Sequence, residues 1–204
     1  MSTPLTDYVS TLTPEIIQLA KEQLEEDDER RAQNVNIIRE WLKKQPHLRS
    51  CPTDSQFLLK YLRGCKYSLE KTKQKLDLTL TLRTMLPEFF SGWDPMKPEN
   101  QKALACGSTL PLPGYDRLGR KVVVLRAACY DPAEIRMELV QRVSFMIWDL
   151  MSHEEEQMFI TGMILVFDMD GFTMSHFTQM PLAMAKKLMP CWEEANPIRP
   201  KSMN

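Results

Sequence analysis

The spacing of apolar residues in the N-terminal part of the chain is typical of amphipathic helices. Apolar side chains recur at steps of three and four residues from Ile17 to Leu42, which places them on one face of a helix. A capping hydroxyl followed by proline, Thr13-Pro14, favours a helix start. We therefore predict a single helix over residues 13–45. The charged run at residues 25–31 falls inside this helix and is interpreted as a solvated face.

Two further helices complete the N-terminal pattern. One is expected from the cap signal Thr53-Asp54 to Gly64, and the other from Ser68 to the residue before Pro87. Three amphipathic helices make a small helical module, and we predict this module over residues 13–90.

The apolar pattern then changes from helical to strand-like. Residues 120–126 are rich in valine, and Met163–Phe167 is an apolar run typical of a strand buried on both faces. The segment between them, from Asp131 to about Met151, predicts a crossover helix, so the two strands are expected to be parallel neighbours.

A last helix and a polar tail follow the second strand. The helix is expected from about Met180 to Trp192, and the tail is where another strand would begin. The predicted fold class is α/β, with the three-helix module followed by an α/β domain over residues 100–204. We expect its sheet to be mainly parallel.

The crossover helix is apolar over most of its circumference. One set of side chains suffices to pack on the sheet and consists of Ile135, Leu139, Val143, Met146, Ile147 and Leu150. A second set lies on another face and consists of Met137, Ser144, Phe145, Trp148 and Met151. Because a surface helix needs a single apolar stripe, the second face indicates a second protein layer or a cavity. The Ser144 hydroxyl would either orient a ligand or bond back to its own helix carbonyl, and periodicity alone favours the latter.

Composition places limits on location and partners. The five cysteines are scattered and odd in number, with no C-x-x-C pair, which favours reduced thiols in the cytoplasm. The formal net charge of −1 gives no overall attraction to nucleic acid or to anionic membranes. The N-terminus is polar, and no apolar run approaches the roughly 20 residues that a membrane span needs. We expect a soluble, cytoplasmic protein with no nucleic-acid partner, and leave its oligomeric state open.

Two aspartates at the end of the second strand offer a catalytic alternative. The segment Val166–Phe172 resembles the first motif of haloacid-dehalogenase-type phosphatases, in which Asp168 would be the nucleophile and Asp170 a general acid beside Mg²⁺. That fold requires a further acidic metal-binding pair on a later strand. The chain after Gly171 carries no such pair. The three histidines are far apart in sequence, and no glycine-rich phosphate loop occurs. The enzymatic interpretation is therefore the weaker one.

An ordered set of short motifs resembles the CRAL-TRIO lipid-binding family. The motifs are Phe57–Tyr67, Asp116–Val124, Tyr130–Pro132, Gly162–Gly171, Ser175-His176 and Ala185–Leu188. The similarity is to the branch that contains tocopherol and retinaldehyde carriers and their insect relatives, and it spans the chain from about Thr13 to Lys201. It implies non-enzymatic binding and intracellular transfer of a small hydrophobic ligand, such as a retinoid, a tocopherol or a related lipid, without a cofactor.

The resemblance also implies which residues line the ligand pocket. The crossover helix, the alternate residues of the strand and the last helix would supply them: Ser144, Phe145, Trp148, Met163, Leu165, Phe167, Leu188 and Cys191. In this interpretation the strand is the floor of the pocket, and Asp168 and Asp170 are turn and capping residues.

Two basic tail residues and two departures complete the comparison with the family. Arg199 and Lys201 match a basic pair that in tocopherol carriers binds phosphoinositide head groups, which implies transient membrane contact; the alternative is two solvated tail residues.

Gly64-Cys65 stands where the family commonly has a second arginine. The family domain continues past residue 204, so its later strands and gate helix are expected to be absent. A truncated interaction module without ligand is the remaining alternative.

Overall fold

Four helices make up the N-terminal module in the computed structural model, which describes residues 5–198 and the backbone of residues 200–203. They are α1 (Pro14–Leu24), α2 (Asp28–Lys43), α3 (Ser55–Gly64) and α4 (Leu69–Met85), with a 3₁₀ turn at Pro46–Leu48 between α2 and α3. The prediction of three helices is wrong because the expected first helix is two separate helices.

The break between α1 and α2 lies inside the charged run. Glu25 adopts a left-handed conformation, with φ of 53°, and ends α1. Asp27 then begins α2, because its carboxylate accepts a hydrogen bond from the Arg30 N–H at 2.7 Å. Between them Glu26 is only 4% exposed. The charged run is therefore a helix junction with one buried acid, and its interpretation as a solvated helix face is wrong.

Helix α3 is the centre of the module. Its predicted cap is confirmed, since the Asp54 carboxylate accepts from the Phe57 N–H at 2.8 Å. Leu58 and Leu62 are fully buried, and they pack with Ile38 of α2 and with other side chains of one apolar cluster. Polar residues of α3 are buried as well, which places this helix between the module and the following domain.

Two short helices and a short strand connect the module to the main sheet. They are α5 (Pro87–Phe90), α6 (Pro98–Ala105) and β1 (Thr109–Pro111). Proline starts both helices, where its missing N–H costs nothing. The sequence pattern does not predict these elements, because three to eight residues are too few to display a period.

The sheet has the order β1-β2-β3-β4 and is mixed. The predicted parallel pair is confirmed: β2 (Lys121–Arg126) runs parallel to β3 (Met163–Asp168). Strand β4 (Pro200–Met203) lies parallel to β3 on its other side, whereas β1 is antiparallel to β2. The expectation of a mainly parallel sheet is wrong, because the short turn between β1 and β2 permits only an antiparallel pair.

The remaining helices follow β2 and β3. They are α7 (Met137–Glu154), α8 (Met158–Thr161), α9 (Met174–Thr178) and α10 (Leu182–Met189), which continues into a π-helical turn at Pro190–Glu194. Helix α7 begins later than predicted, because Asp131 forms a turn in which its carboxylate accepts from the Ala133 N–H at 2.8 Å.

The two faces of the sheet have different surroundings. Val123 and Met163 are buried against side chains of α7. On the opposite face, Val124 and Val166 are half-buried and their neighbour Leu110 is 38% exposed. The side chains that pack on the α7 face therefore determine where an internal site lies.

Candidate functional site

Helix α7 is buried on two sides, as its apolar pattern predicts. Phe145 packs in one apolar cluster with Leu188 of α10. Trp148 packs in another with Val123 and Met163 of the sheet. Phe145 and Trp148 are both less than a tenth exposed. The second face of the helix is covered by a layer of protein.

The assignment of α7 residues to the sheet is partly wrong. Leu150, from the set expected to pack on the sheet, is 63% exposed. Trp148 and Met151, from the other set, pack with Val123 instead. Both sets are apolar, so periodicity could not choose between them; the structure buries the larger indole against the strand.

Ser144 forms its hydrogen bonds within the protein. Its hydroxyl donates to the Val140 carbonyl at 2.9 Å and accepts from the Thr109 hydroxyl at 2.9 Å. The Ser108 hydroxyl lies 3.4 Å away. The bond from Thr109 attaches α7 to β1. The bond to the Val140 carbonyl is the one that helical periodicity favoured over a ligand-orienting role for Ser144.

Trp192 of the π-helical turn lies at the centre of an aromatic cluster. Its ring stacks on Phe145, with centroids 4.5 Å apart and planes 17° apart. It meets Trp148 edge-on at 5.3 Å. Phe90 packs on the other side of Phe145 at 4.6 Å. The indole of Trp192 thus fills the space between α7 and the end of α10.

The strand residues expected to form the floor divide into two groups. Met163 is buried and Leu165 half-buried, and both pack in the apolar cluster that contains Trp148 and Trp192. Phe167 lies near the carboxyl end of β3 and is 45% exposed. The structure therefore brings the first two together with α7, and leaves Phe167 on the surface.

Leu188 and Cys191, expected to close one side of the pocket, lie close together in the structure. Both are buried in the cluster that contains Phe145. The Cys191 thiol donates to the Lys187 carbonyl at 3.3 Å. Burial raises the pKa of this thiol to about 11, so it is neutral and behaves as a small apolar group.

A cleft of about 70 Å³ lies where α3, α4, α7 and residues 190–198 meet. Three of the expected site residues line it: Phe145, Trp148 and Cys191. Its volume is that of about two water molecules, whereas sites for small ligands occupy roughly 300–1,000 Å³. In this conformation, side chains such as Trp192 occupy the space that a whole ligand would need.

Most residues that line this cleft are missing from the sequence-based prediction, Trp192 and Lys60 among them. Trp192 falls within the expected last helix, where nothing in the pattern distinguishes it from a core residue. Lys60 lies in the middle of α3 and is buried. Its only sequence signal is a lysine with apolar residues on both sides, in a helix too apolar for a surface position.

A buried ion network lies beside α3, at its junction with the following domain. The Arg63 guanidinium donates to Glu26 Oε1 and Oε2 at 2.7 and 2.8 Å and to Glu156 Oε1 at 2.6 Å. Burial alone would raise the pKa of both carboxyl groups, but bonding and charge from Arg63 hold each pKa below its usual value. Tyr8 adds a hydrogen bond to Glu156. The network fixes α3 relative to Glu156, in the turn between α7 and α8.

The two aspartates of the catalytic alternative form a turn. Asp168 Oδ1 accepts from the Asp170 N–H at 3.0 Å, and Asp168 Oδ2 lies 3.5 Å from Arg126 Nε. Within the described part of the chain, no group of three or more His, Cys, Asp or Glu side chains is arranged to hold a metal ion. Asp168 and Asp170 thus act locally at the end of β3.

The basic pair of the tail is only partly described. Arg199 lies outside the described residues, and Lys201 is described only as part of the backbone of β4. Among the described helices, none is long and apolar enough to cross a membrane.

Comparison with known proteins gives two family matches. Residues 27–100 match the Pinta-like UBA domain, and residues 107–204 match the CRAL/TRIO domain. The first match covers most of the helical module, and the second covers the sheet, α7 and the aromatic residues Phe145, Trp148 and Trp192.

Individual relatives are similar over almost all of this chain. It is 29% identical over 199 residues to alpha-tocopherol transfer protein-like of Homo sapiens, covering 97% of this chain and 57% of the relative. It is 23% identical over 195 residues to clavesin-2 of Rattus norvegicus, covering 96% of this chain and 59% of the relative. The chain thus spans less than two thirds of the length of these curated relatives. The predicted resemblance to the CRAL-TRIO family is confirmed, with the CRAL/TRIO domain on residues 107–204.

Proposed function

We propose that this chain binds a small hydrophobic ligand without catalysis, and that the protein to which it contributes moves this ligand within the cell. The ligand class is that of retinoids, tocopherols and related lipids. We further propose a helical module over residues 13–90 and a lipid-binding domain from residue 100 onward as the working division of the chain.

The aromatic cluster around the cleft is the observation that carries this proposal. The rings of Phe145 and Trp148 give the cleft a large apolar surface. The Trp192 ring stacks on Phe145 and meets Trp148 edge-on, and it lines the same cleft. Aromatic rings arranged in this way provide the apolar lining typical of lipid and cofactor sites. Met163 and Leu165 extend the apolar surface along β3.

Ligand entry requires movement of Trp192. The π-helical turn that carries it is short and begins at Pro190, so it is held mainly by packing and by few backbone bonds. Rotation of the Trp192 ring out of the stack would enlarge the cleft beside Phe145 and Trp148. A ligand that replaces the ring recovers the apolar contacts that the ring gives up.

The names of the relatives support a lipid as the ligand. One of them is called alpha-tocopherol transfer protein-like. A cytoplasmic location with transient membrane contact fits such a carrier, because its ligand must enter and leave a bilayer. Arg199 and Lys201 are proposed as a contact for phosphoinositide head groups, since two cations separated by one residue in the sequence suit phosphate oxygens.

Cleft filling tests the proposed ligand site. Cys191→Phe puts a ring into the cleft wall and is expected to lower ligand retention about tenfold, since overpacking leaves no room for the ligand. The protein is incubated with vesicles that contain retinal, α-tocopherol or phosphatidylinositol, and native mass spectrometry counts the bound lipid.

Cys106→Phe is the matched control. The Cys106 thiol donates to the carbonyl four residues earlier at 3.3 Å, as that of Cys191 does, but it does not line the cleft. We expect its retention to equal that of the parent chain. No retained lipid from any vesicle, or equal loss in the two variants, would contradict the proposal.

A further inference from the structure

Lys60 is a buried cation with one hydrogen bond. Its side chain is 6% exposed, and its ammonium donates to the Ser152 hydroxyl of α7 at 3.2 Å. The same ammonium lies 4.4 Å from the centre of the Phe57 ring and 5.8 Å from that of Tyr61. Among the described residues, no carboxylate comes within ion-pair distance of it. An ammonium has three N–H donors, so the protein leaves part of this capacity unused.

The cleft beside Lys60 carries an excess of positive charge. Its ionised lining consists of Lys60, Arg83 and Asp149. The Asp149 carboxylate accepts a hydrogen bond from the Arg83 guanidinium, so this acid is already paired. Burial lowers the pKa of Lys60 to about 8, and the group is still mostly protonated at neutral pH. The Asp149 and Asp54 carboxylates act on Lys60 electrostatically from beyond ion-pair distance, and the lining keeps one positive charge in excess.

A second unused donor belongs to a residue that lines the same cleft. The indole Nε1 of Trp148 is fully buried and finds no acceptor among the described residues. Buried polar groups are nearly always hydrogen-bonded, because an unpaired donor has lost its water without compensation. A cation with unused N–H donors and an indole N–H without an acceptor are what an anionic oxygen pair would satisfy.

We infer that the cleft binds the carboxylate head of a long-chain acid, of the fatty-acid class. The carboxylate accepts hydrogen bonds from Lys60 and from the Trp148 indole, and its charge neutralises the excess positive charge. The cleft of about 70 Å³ accommodates a head group of this size. The hydrocarbon tail leaves it along the rings of Phe145 and Trp192. This inference rests on the proposed function and adds the chemistry of the ligand's polar end.

Calorimetric titration of the full chain with decanoate and decanol tests the head group. The two probes share a tail and differ in charge. We expect decanoate to bind about tenfold more tightly, since hydrogen bonds to a charged group contribute more than those to a hydroxyl. Acetate carries the head without the tail and is expected to bind far more weakly than decanoate, which separates a lipid site from a site for free carboxylates.

Three substitutions assign the effect to the cleft. Lys60→Met keeps the length of the side chain and removes its charge, and should reduce decanoate affinity to that of decanol while leaving decanol unchanged. Trp148→Phe removes the N–H and keeps a ring, and should weaken decanoate several-fold. Lys44→Met, at an exposed position away from the cleft, is the control and should change neither affinity.

The outcomes separate this inference from the proposed function. Equal affinity of the parent chain for decanoate and decanol overturns the carboxylate site and leaves hydrophobic binding intact. A decanoate preference that survives Lys60→Met also overturns it. Absence of binding by both probes contradicts the proposed function as well. If Lys60→Met does not fold, the ratio of the two probes in the parent chain and the effect of Trp148→Phe decide the result.

Discussion

Arg63 shows how much of this structure depends on single buried charges. Its guanidinium is 1% exposed and joins Glu26, 37 positions earlier, to Glu156, 93 positions later. Such a triad is satisfied only as a set, because each charge loses its water and relies on the others. Pattern analysis could not find it, since Glu26 is one acid in a run of charges and its partner lies far away in sequence.

Loss of Arg63 is expected to be severe. Arg63→Met leaves the buried Glu156 carboxylate without a cation and Glu26 with Arg31 alone, and should lower the free energy of unfolding by about 3–5 kcal/mol in urea denaturation. Arg49→Met, at an exposed arginine, should change it by less than about 0.5 kcal/mol. A loss below about 1 kcal/mol for Arg63→Met would mean that the triad is not needed for stability.

At the scale of elements, the end of α3 is held against the tail by a close backbone approach. A Cβ atom placed on Gly64 would lie 2.0 Å from the Pro197 carbonyl oxygen. A side chain at this position would move residues 195–198, which line the cleft. The approach also gives a physical reason for glycine at position 64.

Gly64→Ala tests this packing. We expect the melting temperature to fall by an amount equivalent to about 1–3 kcal/mol, because the added methyl group meets backbone that cannot rotate away. Gly114→Ala is the comparison: its φ is 72°, but nothing lies within 4 Å of the new Cβ. In Gly114→Ala only backbone strain should then lower the free energy of unfolding, by about 1 kcal/mol or less. An equal effect of the two substitutions would contradict the close approach.

The sequence predicts the long elements and misses the short ones. Helices α3, α4 and α7 and the β2–β3 pair are confirmed because each displays several periods or a cap. The break at Glu25 is missed because its left-handed turn has no glycine signal. Strand β1 is missed at three residues, and with it the mixed character of the sheet. Local patterns cannot report a strand whose partners are set by tertiary contacts.

At the scale of the whole molecule, the candidate site lies where the two parts of the chain meet. The helical module supplies Lys60 and Arg83, and the CRAL/TRIO domain supplies Phe145, Trp148 and Trp192. Sequence resemblance indicated α7, β3 and the last helix as the lining of the ligand pocket, and this stays a prediction for all of the residues it named. It could not indicate the contribution of α3, because that depends on how the module packs against α7.

Fluorescence of the two cleft tryptophans is the most direct test of ligand binding at this place. The double substitution Trp41→Phe and Trp93→Phe leaves only Trp148 and Trp192, out of the four tryptophans of the chain. Titration with retinol, which accepts excitation energy from indole, should then quench their emission and saturate at one ligand per chain. Cys191→Phe in the same background should weaken this response. Emission that stays constant, or that falls linearly without saturation, would contradict a hydrophobic site between α7 and the π-helical turn.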